Sequence, residues 1–448
     1  MNLKAIHNVY FIGIGGIGMS AIARYFSVNG KNVFGYDKTQ SPITEKLEEI
    51  GIEIHFEDAI KNIDLSCLDK EKTLVVYTPA IPKEHQELNY FISNKFEVLK
   101  RAEILGEITK NTFCLGVAGT HGKTTTSSIL GHIMQLVKAT SFLGGIAENY
   151  NSNLILGADK ISVVEADEFD RSFLKLSPNI ACVTSMDADH LDIYGENEML
   201  QQSFREFTNK VSDTLIVAKG LPLKGLTYAV NEEADYKAYN VRVETGKYIF
   251  DVQTPTSEIK NIEFHLPGKH NMMNALAALA MADVYGISLE EIRNQLKTFS
   301  GVQRRFSYKI KTESLVLIDD YAHHPTEINA VEHSVREMYP NEKILAVFQP
   351  HLFSRTKDFV DDFTAALSKF DEVLLLDIYP ARELPIKGVT SSWLLDKINS
   401  ENKELVSKEK LCENVLKSTS KIIVMLGAGD IGLLVNDVKE ALVKKENK

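Results

Sequence analysis

The 448 residues are 44% hydrophobic and 25% charged, with a formal net charge of −11, the make-up of a globular chain long enough for about three domains of roughly 150 residues. The acidic balance argues against nucleic acid or an acidic membrane surface as partner, since both need a basic face, but it leaves anionic small molecules open. Cys67, Cys114, Cys182 and Cys412 form no C-x-x-C pair, which predicts a reducing compartment and no zinc site. The start, MNLKAIHNVYFIGIGG, makes a poor signal peptide, and no apolar run approaches a membrane span. The expectation is a cytoplasmic protein without membrane insertion.

Taken in order, residues 8–12 read as a strand that enters Gly13-Ile-Gly15-Gly16-Ile17-Gly18 and a helix from Met19 to Asn29. A second strand, Asn32 to Tyr36, ends in Asp37. This is the pattern of a diphosphate-binding loop with its acidic residue, and such a loop holds a UDP-sugar as readily as a dinucleotide. A strand over Thr73–Tyr77 runs into Thr78-Pro-Ala-Ile-Pro82 at a carboxyl end, where ligands of doubly wound sheets sit. A helical pattern over Arg101–Ile108 closes the first region, and the boundary is set near 109.

The second region opens on an apolar run, Thr112 to Val117, that breaks into Gly119-Thr120-His121-Gly122-Lys123-Thr124-Thr125 and a helix to Val137. Strand, Gly-rich loop and helix start together let backbone N–H groups close around a phosphate chain. Lys123 is expected to reach the terminal phosphates and Thr124 a magnesium ion, although Val117 stands where the usual pattern has its first glycine. On this reading Lys123 meets only phosphate, so Lys123→Ala should leave the fold intact. Strand 161–164 ends in Glu165-Ala-Asp167-Glu168, and a strand end beside a P-loop is where a magnesium-holding carboxylate belongs. Strand 180–184 leads to Asp187-Ala-Asp189-His190, which suggests a metal or phosphate role for His190. From 214 onward short strands suggest an antiparallel edge. Residues 267–274 then open an alanine-rich helix, on which Asn271 and Asn274 share a face and suit an adenine edge.

The third region follows a hinge at Arg304-Arg305. Strands over 315–318, 344–348, 372–376 and 421–426 end respectively in Asp319-Asp320-Tyr321-Ala322-His323, Gln349-Pro350-His351, Asp377 and Gly427. Polar residues at four strand ends predict one rim facing a shared cleft.

The motifs GIGGIGMSAIA (13–23), GTHGKTTT (119–126), EADEFDRSF (165–173), DADHLDIYG (187–195), GKHNMMNALAA (268–278), GVQRRF (301–306), DDYAHHPTE (319–327), FQPHLFSRT (348–356) and DIYPAREL (377–384) jointly resemble those of the Mur ligase family. The resemblance implies an α/β chain of three domains: a Rossmann-like UDP-sugar domain (1–108), a central P-loop ATPase domain with a mainly parallel sheet (109–303) and a Rossmann-like amino-acid domain (304–448). It implies ATP and Mg2+ as cofactors and UDP-N-acetylmuramate and L-alanine as partners, joined through an acyl phosphate, in a monomer or weak homodimer. It assigns Gly119, Thr120, His121, Gly122, Lys123, Thr124, Thr125, Asn271, Asn274, Arg305 and Asp320 to the nucleotide, and Thr124, Glu165 and His190 to the metal. Gly15, Gly16, Ile17, Gly18 and Asp37 fall to the sugar nucleotide, while Lys123, Glu165, His190, His323, His351 and Arg355 carry the chemistry. Some members have a carbamoylated lysine where Ser203-Phe204-Arg205 stands here, so none is expected, and Leu352 replaces an arginine of some members.

Three alternatives compete with this reading. A murein tripeptide ligase would use the same sugar nucleotide with a wider amine pocket. An NAD-dependent oxidoreductase would explain Gly13 to Asp37 and leave the P-loop without a purpose, and a nucleotide-sensing module would leave the histidines and arginine of the third region unused.

Overall fold

Every residue of β1 (Asn8–Ile12) is buried, as befits a central parallel strand covered on both faces. The computed structural model describes residues 3–186, 197–244, 246–381 and 383–446. Around β1 the order β3 (Glu53–His55), β2 (Asn32–Tyr36), β1, β4 (Thr73–Tyr77), β5 (Glu97–Lys100) builds a sheet that is parallel at each pairing. Strand order reverses at β1 and β4, so the ligand crevice of this sheet lies at their carboxyl ends, beside Gly13–Gly18. Near the same strand, fully buried Glu87 accepts from the Tyr10 hydroxyl (2.8 Å) and the Ala59 N–H (3.1 Å). Burial pushes its carboxyl up to about 7.

The second sheet is ten-stranded, in the order β15 (Glu258–Phe264), β14 (Lys247–Gln253), β13 (Tyr236–Glu244), β12 (Leu226–Val230), β11 (Thr214–Ala218), β10 (Ile180–Val183), β6 (Phe113–Ala118), β9 (Ala158–Glu165), β7 (Ala139–Ala147), β8 (Ser152–Ile155). The run β7-β9-β6-β10 is parallel, with β8 antiparallel at the edge. The antiparallel edge expected after 214 does not hold for its first strands: β10, β11, β12 and β13 pair in parallel. Short links normally join antiparallel strands, and the spacing invited that reading. The stretch Phe169–Lys175 after β9 is a 3-10 turn, pinned by Phe173, which stacks on Phe207 at 5.0 Å and meets Phe204 edge-on. Burying such a ring contributes about 2–3 kcal/mol, which fixes the chain just beyond Asp167 and Glu168.

The third sheet runs β16 (Ser307–Lys311), β17 (Val316–Asp320), β21 (Ile422–Leu426), β18 (Ile344–Phe348), β19 (Glu372–Leu375), β20 (Lys403–Leu405). All pairings but β16–β17 are parallel, so the polar ends of β17, β21, β18 and β19 share one rim. Asp319 and Asp320 are the last residues of β17, not the first of the loop.

The chain forms two compact units: Met1–Asn240 with Phe250–Ile262 and Met273–Phe299, and Val241–Ile249 with Glu263–Met272 and Ser300–Lys448. Among the described residues no helix is long and apolar enough to cross a membrane.

Candidate functional site

Strand β6 delivers the chain into a loop whose two glycines are in left-handed conformations, Gly119 at φ 137° and Gly122 at φ 81°, angles that side chains resist. Residues just past β10 brace the loop. Thr184 Oγ1 donates to His121 O (2.5 Å), while Ser185 Oγ accepts from His121 N (2.8 Å) and bonds Thr120 Oγ1 (2.9 Å). The helix Lys123–Ile133 starts directly after Gly122, so its first N–H groups lack helical partners and suit phosphate oxygens.

Two expected groups come together at the helix start. Thr124 Oγ1 donates to Glu165 Oε1 at 3.1 Å, and Glu165 Oε2 accepts from Gly144 N at 3.0 Å and from Ser127 Oγ at 3.4 Å. A hydroxyl and a carboxylate at this separation form a hard oxygen donor set, the chemistry that magnesium prefers. Lys123 departs from its expectation, because it does not meet phosphate alone. Its Nζ contacts Gly119 O (2.7 Å) and the buried Glu168 carboxylate. Lys123→Ala therefore strands a buried charge, so the expectation of an undisturbed fold is withdrawn. Asn274 takes a hydrogen bond from Thr126 Oγ1 (3.2 Å) and sits against Gly122, where a Cβ would lie 2.6 Å from Asn274 Oδ1. Asn271 Nδ2 donates to Pro267 O (2.7 Å). His190 lies outside the described residues.

The first loop is shaped by close approach. Gly13 adopts φ 85° against Thr78, and Gly15 N donates to Asp37 Oδ2 at 2.8 Å. Asp37 thus supports the loop itself, and Gly16, Ile17 and Gly18 face a cavity of about 250 Å3. Arg101 and Asp167, paired at 3.1 Å, line the same cavity, as do Gly144 and Glu165. One half-open cleft is thus lined both by the Gly16–Gly18 loop and by the carboxylate of Glu165.

On the rim of the third sheet, Asp320 Oδ2 accepts from Phe306 N (2.6 Å) and Oδ1 from Ala322 N (2.7 Å). Burial nevertheless pushes its carboxyl up to about 6. His323 and His351 meet edge-on at 5.9 Å, and His351 stacks on Tyr379. Burial first, then the charges of Arg355 and His323, lower the pKa of His351. Among the described residues His351 Nδ1 and Arg355 Nη1 are buried without a hydrogen-bond partner. Two such atoms on one rim leave polar groups that a ligand can meet. Arg304 is fixed by Gly427 O and lies over the Tyr321 ring at 5.0 Å, whereas Arg305 is exposed.

Arg101, Gly144, Thr184 and Ser185 were not singled out by the sequence reading. Only the loop residues and strand ends carry a local signal, and these four act through partners at least 21 positions away.

Comparison with known proteins covers the whole length. Three family models match: "Mur ligase family, catalytic domain" at 8–112, "Mur ligase middle domain" at 117–282 and "Mur ligase, glutamate ligase domain" at 304–435. A UDP-N-acetylmuramate–L-alanine ligase of Flavobacterium psychrophilum is 62% identical over 99% of this chain and 100% of its own, and one of Christiangramia forsetii 57% over 99% of each. The crystal structure of a UDP-N-acetylmuramate-alanine ligase from Thermotoga maritima is 27% identical, with a TM-score of 0.83, covering 98% of this chain and 99% of that one. A murein peptide ligase from Psychrobacter arcticus shares the fold at 21% identity, with a TM-score of 0.64 over 97% of this chain and 98% of that one.

Proposed function

The chain belongs to the Mur ligase family, and from that premise we propose that it joins L-alanine to the lactyl carboxylate of UDP-N-acetylmuramate, with ATP converted to ADP and phosphate. The observation that carries the reading is the cavity lined by Gly16–Gly18 and Arg101 together with Gly144 and Glu165. A sugar nucleotide anchored by its diphosphate at the first loop can extend its carboxylate toward phosphate held at the second.

The chemistry follows from the groups to be joined. A carboxylate is inert to amines until one oxygen becomes a leaving group. A carboxylate oxygen attacks the γ-phosphorus, the bond to ADP breaks, and an acyl phosphate results. The neutral amine of alanine adds to its carbonyl carbon, the tetrahedral intermediate expels phosphate, and the nitrogen loses a proton. Lys123 and the N–H groups of Gly122 to Thr125 are assigned to hold phosphate oxygens where charge builds up. Thr124 and Glu165, with His190, are assigned to Mg2+, which when bound neutralises charge on the transferring phosphate. Asn271, Asn274, Arg305 and Asp320 are assigned to the nucleotide. Asn274 has the added task of supporting Gly122, and Asp320 keeps lone pairs for a ribose hydroxyl. His323, His351 and Arg355 are assigned to the amine and carboxylate, supported by the unpartnered His351 Nδ1 and Arg355 Nη1.

The division into domains at 108 and 303 belongs to the same reading and is supported by sheets confined to 8–100, 113–264 and 307–426. So do a cytoplasmic setting, supported by four free cysteines, and a monomer or weak homodimer. Identity of 62% to an alanine ligase favours alanine over a tripeptide as the amine. Phosphate release is expected only when UDP-N-acetylmuramate, ATP and L-alanine are all present, with product mass confirmed by spectrometry. Turnover with a tripeptide amine in preference to alanine, or without the sugar nucleotide, would refute the proposal.

A further inference from the structure

Lys123 Nζ lies 2.8 Å from Glu168 Oε1 and 2.7 Å from Oε2, 2.7 Å from Gly119 O and 3.4 Å from Thr120 O. An ammonium has three protons, and these neighbours supply an acceptor for each. The Glu168 side chain has no solvent exposure and that of Lys123 only 13%. The carboxylate has little freedom to follow the lysine. Arg171 N bonds Glu168 O at 2.9 Å, Phe173 N bonds Asp167 O at 2.8 Å, and Phe173 is locked between Phe204 and Phe207. A core-anchored carboxylate is thus aimed at the side chain whose assigned partner is phosphate.

We infer that Glu168 is a positioning residue that holds Lys123 against the loop's own carbonyls until nucleotide arrives, so that binding requires the ammonium to leave a buried carboxylate. The inference rests on the ligase reading above and adds a residue to it. Glu168 acts through Lys123 rather than on the substrate. When the competent state is a fraction of the population, apparent affinity falls by that fraction, and the contact with Glu168 is a competing state of this kind. The arrangement also keeps the lysine charge neutralised in a site that would otherwise bury it alone.

Glu168→Gln keeps the length and one acceptor for the ammonium but removes the charge that makes the bond strong. Calorimetric titration of the full chain with ATP in the presence of magnesium is expected to show Kd falling about five- to tenfold relative to wild type. KM for ATP should fall with it, while kcat and the KM values for the sugar nucleotide and L-alanine stay within about twofold of wild type. Should the glutamine variant fail to fold, Glu168→Asp, one methylene shorter, should give a smaller fall in the same direction. An ATP Kd that is unchanged or weaker in the folded variant, whatever its melting temperature, would overturn the inference and leave Glu168 a purely structural counter-charge. Absence of ATP binding by wild type would refute the ligase reading, and this inference with it.

Discussion

Gly144 offers a test of the metal assignment in which every proposed metal ligand keeps its identity. It lies in β7 at a backbone conformation open to alanine, being absent from the positions with positive φ. A Cβ built there would stand 2.5 Å from both Cδ and Oε1 of Glu165, where a carbon–oxygen contact needs about 3.5 Å. The carboxylate must therefore retreat by ~1 Å, losing the Gly144 N–H bond of 3.0 Å and drawing Oε1 away from Thr124 Oγ1. Loss of a group that orients a metal ligand typically costs about 10- to 100-fold in metal affinity, and a displacement of ~1 Å near the reacting atoms costs on the order of 100-fold in rate. For Gly144→Ala the magnesium concentration at half-maximal phosphate release, measured with all three substrates saturating, should rise about 10- to 100-fold. A thermal melt followed by circular dichroism separates this from unfolding. A variant that melts earlier yet keeps the wild-type magnesium dependence would show that Glu165 holds no metal.

Lys123→Ala should reduce turnover by at least about 100-fold, an interaction of roughly 3 kcal/mol felt in the transition state; it should also lower the melting temperature, because Glu168 is left buried and unpaired. Wild-type-like turnover at saturating ATP would remove Lys123 from the phosphate site. Arg355→Lys should raise KM for L-alanine at least about tenfold with little change for ATP, since an ammonium cannot reproduce the paired hydrogen bonds of a guanidinium. An unchanged alanine constant, with turnover and UDP-N-acetylmuramate affinity reduced instead, would move Arg355 to the other carboxylate. Glu87 titrates near 4.5 when unfolded and about 7 when folded. The folded chain therefore holds this proton more tightly, and the contribution of Glu87 to stability is greatest below pH 4.5 and is lost as pH rises through 7. The full loss is about 3 kcal/mol. Urea unfolding midpoints between pH 4 and 8 should show that fall in the wild type and a flatter profile in Glu87→Gln; identical slopes would rule out Glu87 as its source.

What could be read from the chain alone follows the distance over which each feature is encoded. The turn from Gly119 to Thr124 is marked by its own glycines and by the helix start that follows, so the motif suffices to locate it. The place of Glu165 at a strand end was legible because an apolar run leads into it. The pairing of Lys123 with Glu168 spans 45 positions, that of Arg101 with Asp167 spans 66, and that of Thr126 with Asn274 spans 148. Such pairs are fixed by sheet order and strand register, which hydrophobic periodicity does not report. The same limit explains β11 and β12: short apolar runs with short links suggest hairpins, and only the register shows that they run in parallel.

The brace on the loop from Gly119 to Thr124 also sets when that loop can exist during synthesis. Its backbone leaves β6 at Ala118, but the hydroxyls that hold His121 and Thr120 belong to Thr184 and Ser185, after a parallel strand has crossed over and been laid beside β6. Asn274, which meets Thr126 and crowds Gly122, is made later still. Pairings of such long sequence separation form slowly, and at about 5–20 residues per second of translation some seconds part the two events. A ribosome-bound chain that ends before residue 185 therefore has the glycines, the lysine and the helix of the loop but no means of holding them open, so affinity for ATP should emerge only after β10 and its two hydroxyls have left the exit tunnel.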